Sequence, residues 1–127
     1  ERQRQAKAGQ MLTKDAVLQL FEEHERQWLR IQASDTVSWT SFPWPVLRKP
    51  FEPEELTTTA IAAYVLNPYS PSDKPEKDRI KEHIRRWHPD RFETKVLSKV
   101  RSEDREKVKE GAGQVVRSLN ELLTRSA

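Results

Sequence analysis

The sequence predicts an all-α fold: a helical hairpin preceded by a helical extension and an extended proline- and tryptophan-rich connection. Three observations predict it. Apolar residues recur at spacings of three and four along several stretches, and no stretch alternates with the period of a strand. The 127 residues are 34% charged and 35% hydrophobic, enough to bury one small core of about three helices and not a large enzyme cleft. Cysteine is absent, which excludes disulfides and thiolate metal sites.

The first element is read over residues 13–33. Thr13 is its N-cap and Asp15 lies in its first turn. Val17, Leu20, Phe21, His24, Trp28 and Ile31 form one apolar stripe, with Leu18 and Leu29 off it. Residues 1–12 are expected to continue the helix upstream, with Gly9 as its weak point. The domain division puts this charged amphipathic helix at 1–33. The next segment, 34–53, holds four prolines together with Trp39, Phe42 and Trp44. Pro43 and Pro45 push the residues before them into extended geometry. The segment reads as a linker whose aromatics pack on the chain's own helices, with part of that surface left for a partner.

A helical domain is expected over 54–127. Residues 54–66 read as a short helix with Glu54 and Glu55 in its first turn, ended by Asn67-Pro68 with asparagine in the left-handed position. Residues 76–88 form the next helix, with Ile80, His83 or Ile84, and Trp87 on one face. Residues 93–101 read as a loop. The last helix, 102–125, takes Ser102 as N-cap and Glu103, Asp104 and Glu106 in its first turn. Val108, Ala112, Val115, Leu119 and Leu122 form its stripe. Gly111 and Gly113 within it mark either a break or a close helix approach. Ile80, Ile84, Trp87, Val115, Leu119 and Leu122 are the expected core.

The net charge of +3 is unevenly placed: residues 74–101 carry ten basic against five acidic side chains. Such a patch suits an acidic protein surface or a phosphate backbone. Within it stands "IRRWHPDRF" at 84–92. Proline disfavours helical geometry at His88, so the basic helix stops there and the triplet His88-Pro89-Asp90 projects as a loop. Trp87 and Phe92 are placed to anchor the corner, giving a rigid recognition tip. His24, His83 and His88 have no partners at metal-ligand spacing, and there is no phosphate-binding glycine loop or activated nucleophile. No cofactor, no metal and no enzymatic activity are expected. No apolar run approaches membrane-spanning length, and no small-molecule substrate is expected.

"AYVLNP" at 63–68, "KDRIKEHIRRWHPDR" at 77–91 and "VRSLNELL" at 116–123 together resemble the J-domain, the Hsp70-docking module of the DnaJ (Hsp40) family. "FPWP" at 42–45 followed by "RWHPDRF" at 86–92, after a charged helix, resembles more closely the NF-kappa-B inhibitor-like protein 1 family. Those are nuclear proteins with a divergent J-like segment, linked to messenger-RNA processing. The resemblance implies a J-domain-like hairpin, a nuclear location and an Hsp70 co-chaperone or recruiter acting in a nuclear complex. His88, Pro89 and Asp90 would then stimulate the chaperone, with Arg79, Lys81, Arg85, Arg86 and Arg91 docking on its acidic surface. The alternative is a structural subunit of a nuclear ribonucleoprotein such as the spliceosome. Leu18, Trp28, Leu29, Phe42 and Trp44 are the residues expected to meet protein neighbours. Direct RNA contact through the basic helix has less support, because the aromatics lie in the apolar stripe and the proline segment rather than among the basic residues. The opening at Glu1 leads to the expectation that the chain is part of a longer protein.

Overall fold

A computed structural model describes residues 12–126, and these are all-α apart from an isolated parallel bridge between Val37 and Val100. Helix α1 runs Lys14–Ala33, α2 Thr58–Val65, α3 Glu76–Trp87, α4 Pro89–Lys95 and α5 Ser102–Ser126. Single 3-10 turns stand at Trp39–Ser41, Pro53–Glu55 and Leu97–Lys99. Helices α3 and α5 make the most extensive contact in the fold, and α2 packs on α5 beside them. The expected continuation of α1 upstream through Gly9 lies outside the described residues.

Sequence chemistry accounts for most of the boundaries. Thr13 Oγ1 accepts from the Ala16 amide at 3.1 Å, as an N-cap should. Helix α2 starts later than the acidic pair suggested. Thr57 is its N-cap, with Oγ1 accepting from the Ala60 amide at 3.1 Å. Glu55 instead accepts the Phe51 and Glu52 amides, both at 2.9 Å, and closes the 3-10 turn before it. Asn67 does not adopt a left-handed conformation, since no non-glycine residue among those described has positive φ. It ties the helix end through its side chain instead, donating to the Ala63 carbonyl and accepting from the Tyr69 amide.

The segment 34–53 is not a linker between separable units. Trp39, Phe42, Trp44 and Val46 are buried in one continuous core with Ile31 of α1, Ile61 of α2, Trp87 of α3, Phe92 of α4 and Leu119 of α5. Trp44 is 3% exposed and lies stacked on Trp87 with ring centroids 5.0 Å apart. Trp39 packs on Trp44 at 4.4 Å, and Phe42 lies 5.5 Å from both Trp44 and Phe92. The chain can bury this stretch because few polar groups are left over. Pro43, Pro45 and Pro50 are buried without an amide hydrogen to satisfy. The Trp39 indole donates to the Pro50 carbonyl at 2.8 Å, and the Trp44 indole to the Trp39 carbonyl at 3.1 Å.

The segment is fixed at its start as well. Val37 donates to the Lys99 carbonyl and accepts from the Arg101 amide, both at 2.9 Å. The Asp104 carboxylate accepts the Trp39 amide at 3.0 Å, so this first-turn residue of α5 serves the neighbouring segment. Ser102 is the first residue of α5 and not its cap.

Of the expected core, Ile80, Trp87, Val115, Leu119 and Leu122 are buried, and Ile84 packs against them partly covered. The two glycines of α5 differ. The helix runs unbroken through both, and Gly111 is where the indoles meet it. A methyl group there would stand 2.8 Å from Trp39 Cζ3 and 2.9 Å from Trp44 Cη2. At Gly113 the nearest atom is a flexible guanidinium nitrogen of Arg117 at 3.4 Å. Gly111→Ala should therefore destabilise the fold by about 1–3 kcal/mol through overpacking. Gly113→Ala should be neutral or stabilise by about 0.5–1 kcal/mol. Urea unfolding of the two variants measures the contrast, and equal midpoints would contradict the close approach.

Candidate functional site: the His-Pro-Asp corner and its groove

The triplet forms a corner between two helices and not a free loop. Helix α3 ends at Trp87, His88 takes φ −57° and ψ 135°, and Pro89 opens α4 at its first position. Proline ends one helix because it disfavours helical geometry in the residue before it. It starts the next because its fixed φ suits a first helical position that needs no amide donor. Residues 93–101, expected as a loop, are helical through Lys95 and then make a 3-10 turn. Phe92, 1% exposed, holds this short helix on the core, 5.4 Å from Trp87 and stacked on it. The His88 carbonyl accepts from the Phe92 amide at 2.8 Å, and Thr94 Oγ1 donates to the Asp90 carbonyl at 2.6 Å.

Both polar members of the triplet face outward. The Asp90 side chain is 94% exposed and that of His88 50% exposed. His88 Nδ1 accepts the Asp90 amide at 3.3 Å and so caps α4, while its distance to the Asp90 carboxylate is 4.0 Å. Pro89 is exposed between them. The result is an acceptor carboxylate and an imidazole held on a corner whose two flanking aromatics are locked in the core.

The five cations assigned to docking divide into two groups. Arg79 is structural: its Nε donates to the Lys74 carbonyl at 3.0 Å, and Nη1 reaches the Val65 and Asn67 carbonyls at 3.5 and 3.4 Å, closing the end of α2. Arg86 binds α3 to α1, with Nη1 3.6 Å from Glu25 and the guanidinium over the Trp28 ring at 5.1 Å. Lys81, Arg85 and Arg91 are exposed and make no hydrogen bond or ion pair among the described residues. Of the residues expected to meet a partner, Phe42 and Trp44 are interior, because the proline segment buries them in the chain's own core. Leu18 and Trp28 are half-buried, and Leu29 is 64% exposed.

A groove of about 880 Å³ runs from α1 to α3 and α4, with Phe21 and Trp28 on the α1 side and Arg85, Arg91 and Lys95 opposite. Trp28 therefore does sit among basic side chains, which its place in an apolar stripe concealed. Its ring is occupied, one face by Arg86 and the other contact an edge-on Trp87 at 5.1 Å. Lys95 was missed in the sequence because it lay in a presumed loop.

Beneath the groove are two histidines. His24 Nδ1 lies 2.7 Å from the Tyr64 hydroxyl, and His83 packs edge-on to the same ring. His83 is partly buried and lines the groove, and its Nδ1 is buried without a hydrogen-bond partner among the described residues. Burial pushes the His24 imidazole down to about 4, helped by Lys49. Burial, then the Arg86 charge, pushes His83 down to about 4 as well. Burial raises the Tyr64 hydroxyl. No group of histidine and carboxylate side chains among the described residues could hold a metal ion, and no helix among them is long and apolar enough to cross a membrane.

The model of the NF-kappa-B inhibitor-like protein 1 C-terminal domain matches residues 59–127, just over half of the chain. The chain belongs to this family. No curated protein and no solved structure matches it. The matched stretch spans α2 from its second residue through α5 and contains the whole His-Pro-Asp corner. It leaves outside α1 and the proline segment that buries Trp44 against Trp87. In this member of the family the core thus extends beyond the matched domain.

The histidines give the fold a signed pH dependence. Unfolded, they take up protons near 6.5; folded, they resist until about 4. The unfolded state binds more protons in between, so stability is full above about 6.5 and is lost as the pH falls toward 4. Denaturant midpoints measured from about pH 7.5 to 5 should fall for the wild type and flatten in a His24→Gln, His83→Gln double variant. Equal slopes would show that these two groups do not carry the effect.

Proposed function

We propose that this chain is a non-enzymatic docking module that recruits an Hsp70-type chaperone to a nuclear complex through the His88-Pro89-Asp90 corner. The observation that carries the reading is the exposure of the Asp90 and His88 side chains on a corner immobilised by Trp87 and Phe92. A partner meeting pre-positioned groups has little ordering entropy to overcome. Asp90 is free to accept a charge-assisted hydrogen bond from a partner arginine. Lys81, Arg85 and Arg91, whose side chains have no ion pair among the described residues, add positive charge to the two helices that meet at the corner, which favours an acidic partner surface. Arg79 and Arg86 are committed within the fold and are not assigned to docking. The nuclear setting rests on the family and on the resemblance of the corner to the J-domain signature.

A second reading is a structural subunit of a nuclear ribonucleoprotein. The exposed Leu29 on α1 favours it, being a large apolar side chain left 64% exposed among the described residues. There Leu29→Asp would disrupt assembly and Asp90→Asn would not.

Single-turnover ATP hydrolysis by a cognate Hsp70 tests the first reading. Wild-type protein should accelerate it. Asp90→Asn should weaken the interaction by about 1.5–3 kcal/mol, roughly tenfold or more, without changing the melting temperature. Asp90→Asn is the cleaner variant because His88 also caps α4. Absence of stimulation by folded wild type would leave the corner as part of a scaffold.

A further inference from the structure

The cations bordering the groove between α1 and α4 are unequally committed. Arg86 is paired with Glu25, and Lys99 Nζ holds the Ile31 and Gln32 carbonyls at the end of α1, at 3.1 and 3.2 Å. Arg85, Arg91 and Lys95 have no hydrogen bond or ion pair among the described residues. Among the described residues lining the groove, Glu25 is taken by Arg86 and Glu82 by Lys74, and Glu22 has no ion pair. The uncommitted charge is therefore net positive: three cations on α3 and α4 against Glu22 on α1, the helix that also supplies Phe21 and Trp28. The groove's volume of about 880 Å³ is enough to take several side chains.

We propose that this groove docks an acidic peptide segment of a partner protein, its carboxylates on Arg85, Arg91 and Lys95 and its apolar side chains against Phe21 and Trp28. The proposal goes beyond the chaperone reading and does not rest on it. Charge complementarity selects the occupant. A nucleic-acid strand fits less well, because its continuous phosphates would also meet Glu22, Glu25 and Glu82. A peptide in extended form alternates its side chains between two faces, so it can set carboxylates on one wall and apolar groups on the other.

The test is fluorescence anisotropy of the complete chain with a fluorescein-labelled peptide of alternating glutamate and leucine. A lysine–leucine peptide and an oligouridylate serve as competing probes. Wild type should bind the acidic peptide, less tightly as salt rises. Arg91→Glu with Lys95→Glu should weaken binding about tenfold or more. These side chains are exposed, so the variant should fold, and circular dichroism checks that. Arg91→Gln with Lys95→Gln is the milder pair and should weaken binding in the same direction. No binding by wild type, unchanged binding by the folded charge variants, or tighter binding of the oligouridylate would each overturn the proposal.

Discussion

The stack of Trp44 on Trp87 is the contact on which the rest of the structure depends. Trp87 is the last residue of α3 and Trp44 belongs to the proline segment. Their overlap joins the N-terminal third of the chain to the helices that carry the basic patch. Trp28 of α1 reaches the same indole from the edge, and Phe92 of α4 stacks beside it. Helix α1 and the proline segment, distant in sequence from the adjacent α3 and α4, thus share one aromatic cluster with them. Gly111 is what lets α5 approach that cluster, since a single methyl group there would collide with two indoles.

The site inherits its geometry from this cluster. The corner needs α3 to stop and α4 to start within one residue. Pro89 supplies the local chemistry, while Trp87 and Phe92 supply the anchoring on either side. Because the anchors are apolar and the Asp90 carboxylate makes no contact in the core, recognition and stability are separated at Asp90: it faces solvent while Trp87 and Phe92 are buried, and the half-exposed His88 also caps α4. Cations that look equivalent in sequence are likewise separated by what surrounds them. Arg79 and Arg86 satisfy carbonyls, a carboxylate and a ring, whereas Arg85, Arg91 and Lys95 are left to act outward.

Periodic information was legible in the sequence. The stripes of α1, α3 and α5 were read correctly because each buries one face against a single core, and Thr13 identified its own cap. Non-local information was not legible. Asp104 reads as a first-turn residue of its helix and is one, yet its carboxylate accepts the Trp39 amide, a use that only the tertiary fold creates; Glu55 caps a local 3-10 turn and not the helix expected there. Pro89 was read as a stop because local sterics act on the residue before it; the helix after it depends on Phe92 finding the core. The sequence reads the aromatics of 34–53 as packing on the chain's own helices, with part of Phe42 and Trp44 left for a partner because a small domain has little apolar surface to cover them. Buried prolines and paired indole N–H groups removed that difficulty. The triplet could be found from sequence alone, but the groove could not, as it joins Trp28 to Lys95 across more than half of the chain.

The central claim is that α1 and the proline segment are part of the same cooperative core as the corner. Thermal unfolding of residues 54–127 alone, against the complete chain and followed by circular dichroism, tests it most directly. Without Trp44, Phe42 and Ile31, the face of Trp87 and the groove of Gly111 are open to water, and losing even one such buried aromatic costs about 3–5 kcal/mol. The account predicts that the shorter piece shows no cooperative transition. A cooperative transition at the melting temperature of the complete chain would contradict it.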